Sequence, residues 1–315
     1  MLLWVVSTLV LAAVMAPWLY QAGKSFADLA GAQGFGGVPG WLGTACQRAG
    51  FGRFFNRSLL LAALLVLPLL WRRLRQLRRA GERLLPSLPP LPLATNLCHY
   101  ALGLVTAGGA VWLLGMVVDG LGAFTAGPVL PGAKRWLTQA VLPAAVVSVV
   151  EEWVFRGILL GLWLRVARPL SACIGSSLVF ALLHFLVPPP GMAIAEPAAA
   201  GAGFQLLGCM LLHFAEPRIF VADFLTFLTV GLVLAGARWR TGRLWLPVGL
   251  HCGWVIAFKG YTLTHVKVVA SPVSAWWVGD NLRSGLLPLA ALGLTAVICH
   301  GVLQLAAYQS KVKPV

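Results

Sequence analysis

Long apolar runs alternate with short polar segments along the whole chain. A membrane-spanning helix needs about 20 apolar residues, within a range of roughly 17–25. By this measure the sequence predicts eight spanning helices, over residues 1–20, 57–71, 97–118, 136–164, 170–187, 219–237, 244–259 and 285–308. The pattern therefore predicts an all-α fold, a polytopic transmembrane helical bundle of about eight spans.

The composition indicates that the helices lie in lipid and not in water. Of the 315 residues, 59% are hydrophobic and only 10% are charged, whereas an average soluble domain carries about 25% charged residues. The net charge of +15 could suggest nucleic acid, but the basic residues cluster beside apolar runs. Topology signals and contacts with anionic lipid have this distribution. We therefore expect the chain to lie in a lipid bilayer and to bind no nucleic acid.

The strongest topology signal is the arginine-rich segment WRRLRQLRRAGER, residues 71–83. Placing it in the cytoplasm puts thirteen basic residues on that side and ten on the other. This is the bias of the positive-inside rule. It predicts an integral membrane protein with both termini in the cytoplasm. The arginine-, alanine- and leucine-rich composition favours a bacterial inner membrane.

Cysteine usage gives no sign of a metal or redox centre. The six cysteines are scattered singly, and no CxxC pair occurs. A zinc knuckle or a thiol redox motif would need such a pair. We therefore predict no cofactor and no bound metal.

Three ionisable residues interrupt the apolar segment AVVSVVEEWVFRGILLGLWL. Such residues cost about 2.5–3.5 kcal/mol each at the centre of a spanning helix and usually serve a function. Glu152 and Arg156 are four residues apart, so one helix face can hold them as an ion pair. Glu151 points about 100° away from Glu152 and is left to carry a proton. The alternative is a structural ion pair that locks two helices together.

Two histidines also lie in predicted helices, His184 four residues after Phe180 and His251 after a basic turn. Helix lengths place Glu151 and His184 roughly 21 Å from the cytoplasmic ends of their helices, and His251 roughly 10 Å. Helix tilt or a late helix start must make up this difference if the three residues meet. The alternative for each histidine is an ordinary hydrogen bond between helices.

These residues, in this order, resemble the CAAX protease and bacteriocin-processing (CPBP, or Abi) family of glutamate-dependent intramembrane endopeptidases. The motifs are Glu-Glu-x-x-x-Arg, Phe-x-x-x-His and a histidine after a basic turn, matched by Glu151, Glu152 and Arg156, by Phe180 and His184, and by His251. The resemblance covers about residues 136–260. It departs from the family at Val255, four residues after His251, where the family has an asparagine thought to help hold the oxyanion or the water.

The resemblance implies a mechanism without a covalent nucleophile. Glu151 would act as general base on a water molecule, and His184 would support that water or the substrate carbonyl. His251 would stabilise the oxyanion. Glu152 and Arg156 would fix the helix and tune the site electrostatically. The implied activity is hydrolysis of a peptide bond in a membrane protein or peptide, with a possible role in maturation or sorting of C-terminally anchored proteins.

The motifs divide the chain into three predicted parts. Residues 1–130 hold N-terminal transmembrane helices and the cytoplasmic basic loop, residues 131–262 the CPBP-like catalytic core, and residues 263–315 an outer loop and the last helix.

Two other functions stay open. One glutamate and two histidines are the side chains of a zinc metalloprotease site, although HExxH is absent. A transporter or membrane scaffold could use the same residues as a proton relay, although no internal repeat supports it.

Overall fold

The computed structural model describes residues 2–79, 91–128, 130–165, 167–184, 192–214, 219–268, 273, 276–279, 281–283 and 285–312. Within these residues the chain is helical apart from two three-residue strands, which confirms the predicted all-α class. The predicted cytoplasmic basic loop falls partly outside this set, because residues 80–83 are not among the described residues.

Twelve α-helices and three segments of π-helix follow one another in the described chain. The α-helices are α1 Leu2–Ala32, α2 Gly37–Arg48, α3 Phe51–Arg79, α4 Leu93–Gly120, α5 Ala133–Trp136, α6 Leu142–Glu152, α7 Leu160–Trp163, α8 Pro169–His184, α9 Ala202–Phe214, α10 Leu225–Thr241, α11 Trp245–Thr264 and α12 Leu287–Val312. The π-helical segments are π1 Leu137–Val141, π2 Trp153–Leu159 and π3 Ile219–Phe224. Helical backbone is therefore continuous from α5 through α7, and again from π3 through α10.

Three helices of the described chain are long and apolar enough to cross a membrane, over Leu3–Ala32, Leu93–Gly120 and Leu287–Gln304. The number rises to four if α2 and the start of α3, which meet at a bend of 117°, count as one span. The chain is thus an integral membrane protein, but the predicted count of eight spans is not confirmed. Among the other predicted spans, residues 170–187 include the 16-residue helix α8, and residues 136–164 and 219–237 contain π-helical turns.

The chain divides by packing into two compact units, Met1–Arg83 with Phe185–Glu216, and Leu84–His184 with Pro217–Val315. In the first unit α1, α3 and α9 contribute to a small apolar core. Its buried members include Ala13, Phe55, Leu206 and Met210. The three-part division predicted from the motifs remains a prediction.

The second unit is organised around the packing of α11 against α4, the most extensive helix pair of the described chain. Gly249 and Gly253 of α11 lie four residues apart on one face. A Cβ atom on Gly249 would come within 2.1 Å of the carbonyl oxygen of Tyr100, and one on Gly253 within 2.4 Å of that of Leu104. Only glycine permits so close an approach of two helix backbones, as in the small-residue interfaces of membrane helices.

A short antiparallel sheet joins the chain beyond α4 to the chain beyond α11. Strand β1, Phe124–Ala126, pairs with strand β2, His265–Lys267, and Phe124 lies opposite Lys267. Beside the sheet, Tyr261 donates a hydrogen bond to Asp119, and Nε2 of His265 lies 3.3 Å from the same carboxylate. This end of the α4–α11 pair is therefore held by both backbone and side-chain contacts.

Candidate active site

The two adjacent glutamates end helix α6 and differ in environment. Glu152 is fully buried, whereas 27% of the Glu151 side chain is exposed. The backbone widens into π2 at the next residue, Trp153. Short π-helical insertions of this kind are frequent at functional sites. The site therefore combines one enclosed carboxylate with one that a substrate can reach.

Glu152 forms the predicted ion pair with Arg156. Their side chains meet at 3.0 Å between Oε1 and Nη1, and Arg156 is 1% exposed. The second amino group of Arg156 donates a hydrogen bond of 3.3 Å to the carbonyl oxygen of Gly231 in α10. The guanidinium carbon also lies 4.3 Å from the centre of the Phe180 ring. The charge of Arg156 is thus balanced by a carboxylate, a backbone oxygen and an aromatic face, which a buried cation requires.

Glu152 has a second partner that the spacing of the sequence does not show. Nδ1 of His251 donates a hydrogen bond of 2.9 Å to the same carboxylate oxygen. A carboxylate only accepts hydrogen bonds, so the proton lies on Nδ1 when this imidazole is neutral. The tautomer leaves Nε2 of His251 with a lone pair, 3.9 Å from Oε2 of Glu151.

Glu151 lies between the two histidines. Its Oε2 atom is 3.7 Å from Nε2 of His184 and 3.9 Å from Nε2 of His251. These distances are longer than hydrogen bonds. The atom is buried and accepts no hydrogen bond from any described residue. Two imidazole nitrogens and one carboxylate oxygen therefore converge on one small volume.

His184 is held by a contact on each side of its ring. Nδ1 lies 2.9 Å from the carbonyl oxygen of Phe180, and because a carbonyl cannot donate, Nδ1 carries the proton. The ring stacks on Phe227 of α10, with centroids 4.7 Å apart and an interplanar angle of 26°. In the neutral imidazole Nε2 is thus unprotonated and turned toward Glu151.

The structure brings all six residues singled out in the sequence into one cluster within the second unit, namely Glu151, Glu152, Arg156, Phe180, His184 and His251. The difference in depth expected from helix lengths is not present, since His251 reaches Glu151 although it lies only six residues into α11.

Two residues of the site carry no sequence signal. Phe227 supports the His184 ring, and Gly231 supplies a carbonyl to Arg156, yet neither belongs to a recognisable motif. A Cβ atom on Gly231 would lie 2.8 Å from Cβ of Ser177, so α8 and α10 approach closely there. An isolated glycine or phenylalanine in an apolar helix is too common for its role to be read from one sequence.

Two further positions limit the chemistry. Val255, at the family's asparagine position, is half-buried and brings no hydrogen-bonding side chain. Ser148 is fully buried one turn before Glu152, and its hydroxyl has no hydrogen-bond partner among the described residues. A serine nucleophile needs an adjacent base, and no described base reaches Ser148.

In the part of the chain that the structure describes, no group of three or more His, Cys, Asp or Glu residues is arranged to hold a metal ion.

A carboxylate and two imidazoles are side chains that can move protons in general acid–base catalysis. Residues 133–257 match the family model described as type II CAAX prenyl endopeptidase Rce1-like. The match contains every residue of the cluster, and it confirms the resemblance to the CPBP family. It supports a CAAX-type intramembrane protease at the level of the family. Comparison with curated proteins and with solved structures found no match.

Proposed function

We propose that this protein is an intramembrane endopeptidase in which Glu151 activates a water molecule to hydrolyse a peptide bond. The convergence of both Nε2 atoms on Oε2 of Glu151, at 3.7 and 3.9 Å, carries the proposal. A single water molecule placed among these three atoms can contact all of them. Glu151 is also the one carboxylate of the pair that is not already engaged by Arg156.

Glu151 begins the reaction by taking a proton from the water as its oxygen attacks the carbonyl carbon of the substrate. Nε2 of His184 accepts the other hydrogen bond of this water, since Nδ1 donates to Phe180. The attack forms the new C–O bond and leaves a tetrahedral oxyanion. The proton held by Glu151 then passes to the leaving nitrogen as the C–N bond breaks. Atoms and charge therefore balance without a covalent enzyme intermediate.

His251 stabilises the oxyanion in its doubly protonated form. Nε2 takes this proton from solvent before the cycle begins, donates it in a hydrogen bond to the oxyanion and keeps it throughout. Its Nδ1 atom already donates to Glu152, so protonation of Nε2 creates an imidazolium that faces a carboxylate. This arrangement matches the role of the buried aspartate in serine protease triads, which orients a histidine and balances its charge. Glu152 and Arg156 thus act on the chemistry through His251, and a donor at Val255 is not needed for this step.

The proposed substrate is a membrane-associated protein or peptide, and we propose a role in maturation or sorting of C-terminally anchored proteins. From the composition and the distribution of basic residues, we propose that the protein lies in a bacterial inner membrane with both termini in the cytoplasm. Two alternative functions predict different experimental results. A zinc-dependent protease would lose activity with a chelator, whereas a transporter or scaffold would leave protein termini unchanged.

The experiment compares the termini of membrane proteins in cells that express the wild type or Glu151→Gln. Ser148→Ala is the matched control, because Ser148 is buried on the same helix and has no role in the proposed chemistry. We expect new termini with the wild type and with Ser148→Ala, and their loss with Glu151→Gln at equal protein levels. Identical termini in all three strains would contradict a peptidase.

A further inference from the structure

An open cavity lies in the second unit, and the residues of the glutamate site are not among its lining residues. It has a volume of about 550 Å³ and is lined by residues of α8, α10, α11 and α12. Small-molecule sites in proteins typically range from about 300 to 1,000 Å³. The apolar part of its wall is formed chiefly by leucine, valine and alanine side chains, among them Leu170, Leu232, Val233, Leu246, Leu250 and Val297.

One end of this cavity is cationic. Among its described lining residues, the ionisable groups other than thiols are Arg240 at the end of α10 and His300 in α12. Arg240 donates a hydrogen bond to Nδ1 of His300, so the two side chains are already held together. Trp239 lines the same end and is 53% exposed. Tryptophan and arginine mark the level of the lipid headgroups in membrane proteins.

The apolar wall and the cationic end of the cavity together suit a ligand with an acidic head and an apolar chain. An arginine at the mouth of an apolar cavity pairs with phosphate through parallel N–H donors. Basic pockets between membrane helices on the cytoplasmic side bind acidic lipid headgroups. Zwitterionic headgroups carry a cation that offsets this attraction. Charge complementarity therefore favours an anionic lipid over a neutral one.

We propose that the cavity between α8, α10, α11 and α12 binds one acyl chain of an anionic phospholipid, with the phosphate at Arg240. The site is distinct from the proposed catalytic cluster and does not depend on it. Leu250 connects the two, because it lines the cavity and directly precedes His251 in α11. Occupation of the cavity supports this helix at Leu250, about 100° around the helix from His251.

Two pairs of variants test the site. Gly236 lines the cavity, and a Cβ atom there would meet nothing within 4 Å, so Gly236→Leu fills the space for the chain without an initial clash. Gly293→Leu is its control, since Gly293 is equally open but does not line the cavity. Arg240→Gln removes the cation, and Arg48→Gln removes an exposed arginine of the first unit.

The measurement is the affinity of the purified full-length chain in detergent for phosphatidylglycerol and phosphatidylcholine, read by native mass spectrometry and by the shift in unfolding temperature. We expect the wild type and both controls to prefer phosphatidylglycerol at least about fivefold, the effect of one basic residue. Arg240→Gln should abolish this preference, and Gly236→Leu should weaken binding of both lipids about tenfold or more.

Equal binding of the two lipids by the wild type would overturn the proposal, as would unchanged affinity in Gly236→Leu. If Gly236→Leu keeps its lipid affinity but raises KM for a cleaved substrate, the cavity holds an apolar segment of the substrate. Lipid affinity is measured without proteolysis, so this test and the test of the peptidase can fail separately.

Discussion

Glu151 and Glu152 are neighbours in sequence with different duties in the site. Glu152 is enclosed, and its Oε1 atom is shared between Arg156 and His251, whereas its buried Oε2 atom has no hydrogen-bond partner among the described residues. Glu151 is partly exposed and faces imidazole nitrogens beyond hydrogen-bond distance. The difference follows from the 100° between successive residues of a helix, which turns one side chain into the bundle and the other toward the opening of the site.

Removing one member of the buried ion pair should lower the free energy of unfolding much more than removing both members. Arg156→Met leaves the Glu152 carboxylate without its cation, and the loss of one partner of a buried pair costs about 3–5 kcal/mol. Adding Glu152→Gln removes the uncompensated charge and should restore most of the free energy of unfolding. Proteolysis should stay low in the double variant, because His251 no longer faces a carboxylate.

Reversible unfolding in detergent measures the first effect, and cleavage of a membrane-anchored substrate measures the second. A double variant that recovers both stability and activity would show that the pair is structural only. A single variant as stable as the wild type would show that Glu152 is not charged in the folded protein.

Sequence spacing was sufficient for contacts within one helix but not for those between helices. The four-residue separation of Glu152 and Arg156 predicts their ion pair, and the structure has it. The hydrogen bond from His251 to Glu152 joins residues 99 positions apart, and helix lengths alone placed these residues at different depths. Phe227 was missed because its contact with His184 likewise depends on how α8 and α10 pack.

At the scale of elements, helix α11 works through two opposite faces. Gly249 and Gly253 place one face directly against the backbone of α4. His251 is two residues from each glycine, about 200° around the helix, so it points away from α4 and toward the glutamates. The glycine face therefore sets the distance of His251 from Glu151.

Gly249→Ala should separate α11 from α4. The added methyl group would meet the carbonyl oxygen of Tyr100 at 2.1 Å, and overpacking of this kind typically costs about 1–3 kcal/mol. Cleavage should fall together with stability, because His251 moves with the helix. The free energy of unfolding and the rate of cleavage are measured on the same preparation.

Gly293→Ala is the matched control, because a Cβ atom at Gly293 of α12 has no neighbour within 4 Å. Replacing an exposed helical glycine by alanine should leave stability unchanged or raise it by up to about 1 kcal/mol. Equal behaviour of the two variants would contradict the role assigned to the glycine face.

Hydrophobic patterning predicted the all-α membrane fold but not how many helices cross the membrane. Apolar length identifies α4 and α12 well, since both are long and lack interior charge. It cannot separate a spanning helix from a shorter apolar helix buried among others, such as α8. The π-helical turns after Glu152 also leave no mark in the pattern, because they change backbone hydrogen bonding and not side-chain polarity.

At the scale of the whole molecule, the family match and the packing units do not coincide. Residues 133–257 include α9, which packs with α1 and α3 in the first unit. Leu206 and Met210 of α9 are buried there beside Phe55 and Ala13. The chain between the site helices α8 and α10 therefore depends on the N-terminal helices for its own core.

Deletion of residues 1–79 should consequently damage the protein although no site residue is removed. The deletion would expose the apolar face of α9, and small cores of this kind have little stability to lose. We expect low yield and aggregation of the truncated chain in gel filtration, against a single peak for the full chain. A monodisperse truncated protein that still cleaves substrate would show that the match region folds alone.

The central claim is that Glu151 activates the water that hydrolyses the peptide bond, and cleavage of a purified substrate by purified variants tests it most directly. With a chelator present, the wild type and Ser148→Ala should cleave at similar rates. Glu151→Gln should be slower by at least about 100-fold, the usual contribution of a general base. Cleavage by Glu151→Gln at the wild-type rate, or loss of wild-type cleavage on chelation, would contradict the account.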